Sequence, residues 1–354
     1  MAGIQIVRVD PLVDDELFDG WVAASVESGE YEFGEWHTAY SAQELRAAQR
    51  LSTDCLILRL AAVKGDVVAG QATLTLPLLD NRQTAELALS VRPAYRRQGI
   101  GTRLLDELES LATAHARNVL RAESQVAAGR PDPADPFATA RGYTAELVDL
   151  RSDLDLRGDL RGDLGLRGDL NRPMSLDALL GPLEEDAATR AGAYEVLTWW
   201  DDVPDVWVDQ RADLASRMST DTPMGGLLVQ QEAWDGDRLR EQIQILHAQG
   251  RRLVETVAVE RASGRLVAFT DLVVSAHTPR VAYQWDTLVR KEHRGRRLGQ
   301  LVKSANLRAL LRELPGISRV VTYNAQVNEP MLRVNRAMGF TTVGVMTQWQ
   351  KILP

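Results

Sequence analysis

The chain has 354 residues, 45% hydrophobic and 25% charged, a balance that fits a globular protein and excludes wholesale disorder. At roughly 100–200 residues per domain, two domains are expected. A net charge of −8 argues against nucleic acid as the main partner, and the single cysteine, Cys55, excludes an intramolecular disulfide and a cysteine-built zinc site. No stretch approaches the ~18 uninterrupted apolar residues of a membrane span. The acidic start MAGIQIVRVDPLVDDELFDG lacks the basic-then-apolar order of an export signal, so a cytoplasmic location is expected.

In chain order, an alternating apolar run at 54–63, a turn at Lys64-Gly65-Asp66 and a second run at 67–79 predict a hairpin. A strand follows at 86–91, then a Pro-containing loop. The helical pattern from 101 to 116 places Leu104, Leu105, Leu108, Leu111 and Ala112 on one face. A short strand at 119–123 and a helix-loop-strand ending in Ala140-Arg-Gly-Tyr143 complete the first part. From Asp153 to Leu170 the chain reads DLDLRGDLRGDLGLRGDL, whose recurring glycines weaken helix and strand alike, which predicts an exposed connector. The second part repeats the order: a hairpin at 253–260 and 266–274, a strand at 282–289, a basic loop, and a helix at 300–313. A strand at 320–324, a helix at 328–337 and a final strand pair opened by Gly339-Phe340 follow. The expected organisation is therefore a domain at 1–152, a connector at 153–170 and a duplicate domain at 171–354.

The strongest local signal is Val91-Arg-Pro-Ala-Tyr-Arg-Arg-Gln-Gly-Ile-Gly-Thr-Arg-Leu-Leu105. A strand ends, an arginine-rich loop with two glycines follows, and an amphipathic helix begins. Free N–H groups and the positive end of the helix dipole suit a pyrophosphate there. The Gly-Lys-Ser/Thr end of a P-loop and the Gly-x-Gly-x-x-Gly dinucleotide fingerprint are both missing. The spacing Arg96-x-x-Gly99-x-Gly101 resembles motif A of the GCN5-related N-acetyltransferases, the GNAT superfamily. The resemblance implies an α+β fold of two tandem GNAT domains, each a mixed, mostly antiparallel sheet flanked by helices. It also implies that Arg96, Arg97, Gln98, Gly99, Ile100, Gly101 and Thr102 hold the pyrophosphate of acetyl-CoA. The paired layout is similar to that of mycothiol synthase and other actinobacterial tandem acetyltransferases.

The second part carries the altered loop Arg294-Gly295-Arg296-Arg297-Leu298-Gly299, with Arg297 where the motif has its first glycine. Its side chain either blocks the backbone cradle or binds phosphate itself. Asn324 and Asn328 look like the family's strand-5 asparagine and the start of the helix ending in Gly-Phe, where an Asn meets the pantetheine arm. The first part has no matching Asn.

In the family, backbone N–H groups of the splayed fourth strand polarise the thioester carbonyl. Carried over, these belong to Leu89, Ser90 and Val91, or to Leu288 and Val289. A carboxylate on that strand often serves as base. Glu86 and Asp286 are the candidates, Glu86 favoured, and either could instead be structural. The family's acid tyrosine falls on Ala138 and Asn335, neither of which can donate a phenol proton. His293 more naturally faces phosphate or solvent, and Cys55 reads as a buried thiol. Trp199, Trp200 and Trp207, expected in the first helices of the second part, could line an amine site. So could Glu30, Glu32, Glu35 and Trp36 in the first part; a core-and-solvent role serves both groups equally. The stretch Met218–Pro223 with Gly225-Gly226 reads as a turn. The expected activity is acetyl transfer from acetyl-CoA to a primary amine of a small molecule (an antibiotic or an amino sugar, for instance) by direct attack on the thioester. The alternatives are chemistry in the second part with CoA held structurally in the first, and a non-catalytic acyl-CoA sensor. No metal, nucleic acid or membrane is expected, and the chain is expected to be a monomer or homodimer.

Overall fold

The computed structural model describes residues 3–13, 15–157 and 176–354. In chain order the elements are β1 (Ile4–Val9), α1 (Asp15–Phe33), α2 (Ala42–Leu51), β2 (Cys55–Lys64), β3 (Val67–Pro77), β4 (Thr84–Val91), α3 (Ile100–Ala114), β5 (Val119–Ala127), α4 (Asp135–Ala140) and β6 (Thr144–Asp155). There follow α5 (Leu176–Arg190), β7 (Tyr194–Trp200), α6 (Val208–Ser216), α7 (Met218–Asp221), α8 (Gly236–Ala248), β8 (Arg251–Glu260), β9 (Arg265–Ser275), β10 (Val281–Val289), α9 (Leu298–Glu313), β11 (Arg319–Ala325), α10 (Glu329–Ala337) and β12 (Thr341–Ile352). No helix among the described residues is long and apolar enough to cross a membrane.

The chain forms two compact units. Unit 1 comprises Met1–Val148, Gly225–Gln230 and Gly344–Pro354; unit 2 comprises Asp149–Met224 and Gln231–Val343. The division expected from sequence, with a connector at 153–170, differs from this one. Asp153–Asp155 belong to β6, and 158–170 lie outside the described residues. The reason is a strand exchange. Gly344–Ile352 pair antiparallel with β5, so the last strand of the chain completes unit 1. Asp149–Asp155 pair antiparallel with β11, completing unit 2. Terminal strands of this kind have similar alternation in both halves, so sequence periodicity cannot show which sheet each joins.

In unit 1 the strand order is β1-β2-β3-β4-β5-β12, antiparallel except for the parallel β4–β5 pair. Leu60, Leu74, Leu87, Leu104 and Leu108 form the core between this sheet and α3. Phe18, Trp21 and Ala24 of α1 close the other face over Ala61 and Val68. In unit 2 the order is β6-β11-β10-β9-β8-β7, with β10–β11 the parallel pair. There α9 and α5 cover one face, Leu307, Leu310 and Leu180 meeting Val254 and Leu272. The opposite face is covered by α6 and α8, through Ala212, Leu239, Ile243 and Val273. Each unit is thus the mixed, mostly antiparallel sheet with flanking helices that the sequence implied.

Two local expectations change. Trp199 and Trp200 lie in strand β7, not in a helix, because Tyr194–Trp200 (YEVLTWW) is rich in aromatic and β-branched residues. The turn expected at 218–223 begins as the short helix α7.

Candidate functional site

Each unit opens its sheet at the parallel pair. In unit 1, β4 and β5 are paired only over Thr84–Leu87, while Ala88–Val91 stay paired with β3 alone. The β5-facing backbone edge of the segment containing Leu89, Ser90 and Val91 is therefore released. In unit 2, β10 pairs with β11 only over Val281–Gln284, and Leu288 and Val289 stay with β9.

Below each opening lies the strand–loop–helix turn. Arg92 donates from Nε to the Val68 carbonyl at 2.7 Å, and Arg290 does the same to Leu266 at 3.0 Å. Arg96 Nε donates to the Val91 carbonyl at 3.1 Å, and Arg294 Nε to Val289 at 3.0 Å. The leading arginine of each motif therefore staples the loop to its strand. Each loop also holds two residues in the left-handed region: Arg97 and Gly99 in unit 1, Gly295 and Arg297 in unit 2. The loops share one backbone shape and place their glycine at opposite positions. A residue with a Cβ pays roughly 1–2 kcal/mol at such a φ, so each loop carries one strained arginine. Backbone turns that include left-handed residues form N–H concavities that suit an anion.

The loops differ in charge. In unit 1, Arg97 is exposed and makes no ion pair among the described residues, and a side chain at Gly99 would meet nothing within 4 Å. Arg96 lies 4.7 Å over the Tyr31 ring and 3.8 Å from Glu32, which also pairs with Arg130. In unit 2 the cations are already engaged. Arg297 pairs with Asp186 at 3.0 Å, Lys291 with Asp221 at 3.0 Å, and Arg294 reaches Asp221 at 3.6 Å. Arg296 and His293 both bond the Tyr194 hydroxyl, His293 at 2.9 Å. Arg297 is thus drawn toward α5. Gln98, Ile100, Gly101 and Thr102 start α3 or lead into it, as Leu298 and Gly299 start α9.

The two candidate carboxylates are not equivalent. The pairing of β10 with β9 shifts register between Gln284 and Thr287, a bulge that β4 lacks, and Asp286 sits in it. Such bulges re-aim side chains next to active sites. Glu86 aligns instead with Tyr283, each being the third residue of the parallel pairing. Glu86 is bound by Arg121 at 2.6 Å; burial raises its pKa and Arg121 works against the rise. Asp286 is reachable by solvent yet surrounded by protein. Burial raises its pKa, Arg211 opposes, and Glu232 and Glu255 reinforce the rise. Behind it, buried Arg211 of α6 pairs with Glu255 at 2.5 Å and Asp271 at 3.2 Å, and stacks 3.6 Å from the Phe269 ring. Burial raises the Asp271 carboxyl well above the usual range. Sequence reading missed this group, because Arg211, Glu255 and Asp271 come from three separate elements; a charged residue inside each of two apolar strands was the available signal.

Asn324 of β11 accepts from the Asn335 amide at 2.5 Å, so the residue in the tyrosine position is bound to the strand-5 asparagine. Asn335 is 2% exposed, and its Oδ1 has no hydrogen-bond partner among the described residues. Asn328 caps α10 through the Met331 N–H. The unit 1 residue at the place of Asn324 is Ser124, which accepts from Trp349 at 2.8 Å. Cys55 is half-buried, its thiol pushed up to about 11 by burial and by Asp54, so it is no nucleophile at neutral pH.

The sequence profile of the acetyltransferase (GNAT) family matches residues 21–143. A solved tandem GNAT protein from the clavulanic acid biosynthesis pathway superposes with a TM-score of 0.74 at 26% identity, over 99% of this chain and 98% of that one. Residues 21–143 thus resemble the GNAT family, and the whole chain shares the fold of that tandem GNAT protein. A GCN5-related N-acetyltransferase from Sphaerobacter thermophilus gives a TM-score of 0.63 at 16% identity, covering 99% and 95%. A putative acetyltransferase from Pyrococcus horikoshii gives 0.56 at 12%, covering 100% and 91%. At those identities the likeness is one of fold. Among curated proteins no sequence match was found.

Proposed function

We propose that this protein transfers an acetyl group from acetyl-CoA to a primary amine on a small molecule in the cytoplasm. Unit 1 holds the donor. The observation that carries this reading is Arg97, which makes no ion pair among the described residues and lies two positions before Gly99 at the foot of the freed β4 edge, where unit 2 has its loop cations neutralised by Asp186 and Asp221. The residues fit the group: Arg96, Arg97, Gln98 and Gly99 with the helix-start N–H groups of Ile100, Gly101 and Thr102 would take the pyrophosphate, and Leu89, Ser90 and Val91 the pantetheine and acyl carbonyl. Acetyl-CoA would supply the activated acyl group. Glu86 then accepts the proton of the attacking amine, its basicity supported by burial and limited by Arg121.

A second reading places the chemistry in unit 2, with Asp286 as base, Leu288 and Val289 polarising, and Asn324 and Asn335 on the donor side. The bulge that presents Asp286 favours it. One assay separates the two: release of free thiol from acetyl-CoA with an amine panel, for the wild type, Glu86→Gln and Asp286→Asn. Loss of turnover in Glu86→Gln alone supports the first reading, and loss in Asp286→Asn alone the second. No thiol release with any amine leaves the acyl-CoA sensor.

A further inference from the structure

Unit 1 buries a guanidinium that no carboxylate meets. Arg59 of β2 is 4% exposed, and among the described residues it forms no ion pair. Its Nη1 donates to Gln49 Oε1 of α2, and its guanidinium lies 5.8 Å from the Trp21 ring of α1. Its Nε is buried without a partner, and nothing among the described residues bonds its Nη2. Burial pushes its pKa down to about 10, against the smaller pull of Cys55 and Asp10. A buried cation of this kind is costly until an anion compensates it. The fold does not demand a guanidinium there. The β2–β3 and β8–β9 hairpins bulge at matching places, Ala62/Val63 and Ala258/Val259, which puts Glu255 of unit 2 at the Arg59 position.

The strand registers put Arg59 in line with the opening of unit 1. Arg59 pairs with Thr73, and Thr73 with Ala88, the first residue of β4 beyond its pairing with β5. Alternation sets all three on the face that carries α1, together with Thr75 and Glu86 of the next row. Ala88 belongs to a central strand and is nonetheless exposed, and Thr73, Thr75 and Glu86 are half-buried, so the helices leave this strip open. The short side chains of Thr73 and Ala88 leave a trough between Arg59 and the freed edge of β4. With Nη1 held by Gln49, the Nε–Nη2 edge of the guanidinium remains, an edge that a carboxylate binds through two parallel hydrogen bonds.

We propose that Arg59 is the specificity-determining residue of unit 1, and that the acceptor it selects carries a carboxylate at the end opposite its amine. The carboxylate takes the Nε–Nη2 edge of Arg59, while the amine reaches Glu86 and the acyl carbonyl at the freed edge of β4. Two strand spacings, about 10 Å, separate Arg59 from Ala88 along the row. The arginine side chain spans part of that distance, which sets amine and carboxylate several bonds apart, as in an ω-amino acid. Unit 2 has Glu255 in the equivalent place, where a second carboxylate would be repelled. The inference rests on the reading that unit 1 acetylates an amine, and goes beyond it in naming the acceptor's second group.

The test compares 5-aminopentanoate with 5-aminopentanamide and 1-aminopentane, which keep the amine and lose the carboxylate. Thiol release from acetyl-CoA gives kcat/KM for each, and calorimetric titration of the full chain in the presence of CoA gives each Kd. The wild type should favour the acid over both others at least tenfold in either measure. Arg59→Gln should erase the difference between acid and amide, and Arg59→Lys should keep part of it, with thermal midpoints confirming folding. Should Arg59→Gln fail to fold, Gln49→Glu replaces it, since a carboxylate supplied from α2 occupies Arg59 and should erase the preference in the same way. Equal use and equal binding of acid and amide by the wild type, or an undiminished preference in the folded variant, overturns the proposal. If thiol is released equally with acid and amide, the acetyl-transfer reading stands and this one falls. If no amine releases thiol, the acetyl-transfer reading falls, and the ratio of the calorimetric Kd values alone decides this one.

Discussion

Replacing Lys303 with leucine should stabilise the protein, by an amount that depends on pH. Lys303 lies on α9 at 1% exposure, its ammonium 5.5 Å from the Phe340 ring. Counting from Gly99 and Arg297 before the two helices, the same position in unit 1 is Leu105, a core residue. Burial holds the Lys303 pKa at about 7, down from 10.5. At ~1.4 kcal/mol per pH unit, a drop of this size is a penalty of roughly 4–5 kcal/mol when both states are protonated. The sign follows from proton binding. Below about pH 7 the folded and unfolded chains both carry the proton, and the penalty is complete. From pH 7 to 10.5 the unfolded chain holds a proton that the folded chain has lost, so stability rises with pH. Urea denaturation of wild type and Lys303→Leu at pH 7, 8 and 9 measures this. The variant should be more stable by about 3–5 kcal/mol at pH 7, the gain shrinking by ~1.4 kcal/mol for each pH unit. A destabilised variant, or a difference equal at pH 7 and pH 9, would refute a buried lysine held near neutrality by desolvation.

Arg211→Met should destabilise unit 2 by about 3–5 kcal/mol, read as a lower denaturation midpoint, because it strands Glu255 and Asp271 in the core. Ser41→Ala removes the capping box that Ser41 and Glu44 form at the start of α2, and should cost about 1 kcal/mol in the same assay. Arg297→Gly relieves a left-handed arginine of roughly 1–2 kcal/mol strain and loses a half-exposed Asp186 pair of ~0–1 kcal/mol, so its midpoint should rise slightly or stay put.

Much of this was legible in the residues. The 3.6-residue spacing of Leu104, Leu105, Leu108 and Leu111 gave α3, whose one face meets a core, and pairs of apolar runs separated by short turns gave the β2–β3 and β8–β9 hairpins. The strand exchange was not legible, since β6 and β12 alternate in the same way whichever neighbour they pair with. Nor was the inequivalence of Glu86 and Asp286. A one-residue bulge leaves no mark in composition, yet it moves Asp286 into the acid group around Arg211 while Glu86 pairs with Arg121. The role of Arg297 was left open by its residue type, and its bond to Asp186 draws it away from the loop. A polar layer beneath α9 was also hidden. Thr256, Thr270, Thr287 and Asn306 occupy places that are Leu60, Ala72, Leu89 and Leu108 in unit 1, and only the registers align them.

The central claim is that the donor sits on the loop of unit 1. Titration of CoA into the wild type, Gly99→Glu and Gly295→Glu tests it most directly, since both substitutions put a carboxylate at a left-handed loop position in otherwise matching turns. The account predicts that Gly99→Glu weakens CoA binding at least tenfold and that Gly295→Glu binds CoA as the wild type does. Unchanged affinity in Gly99→Glu with loss in Gly295→Glu would contradict it and move the donor to unit 2.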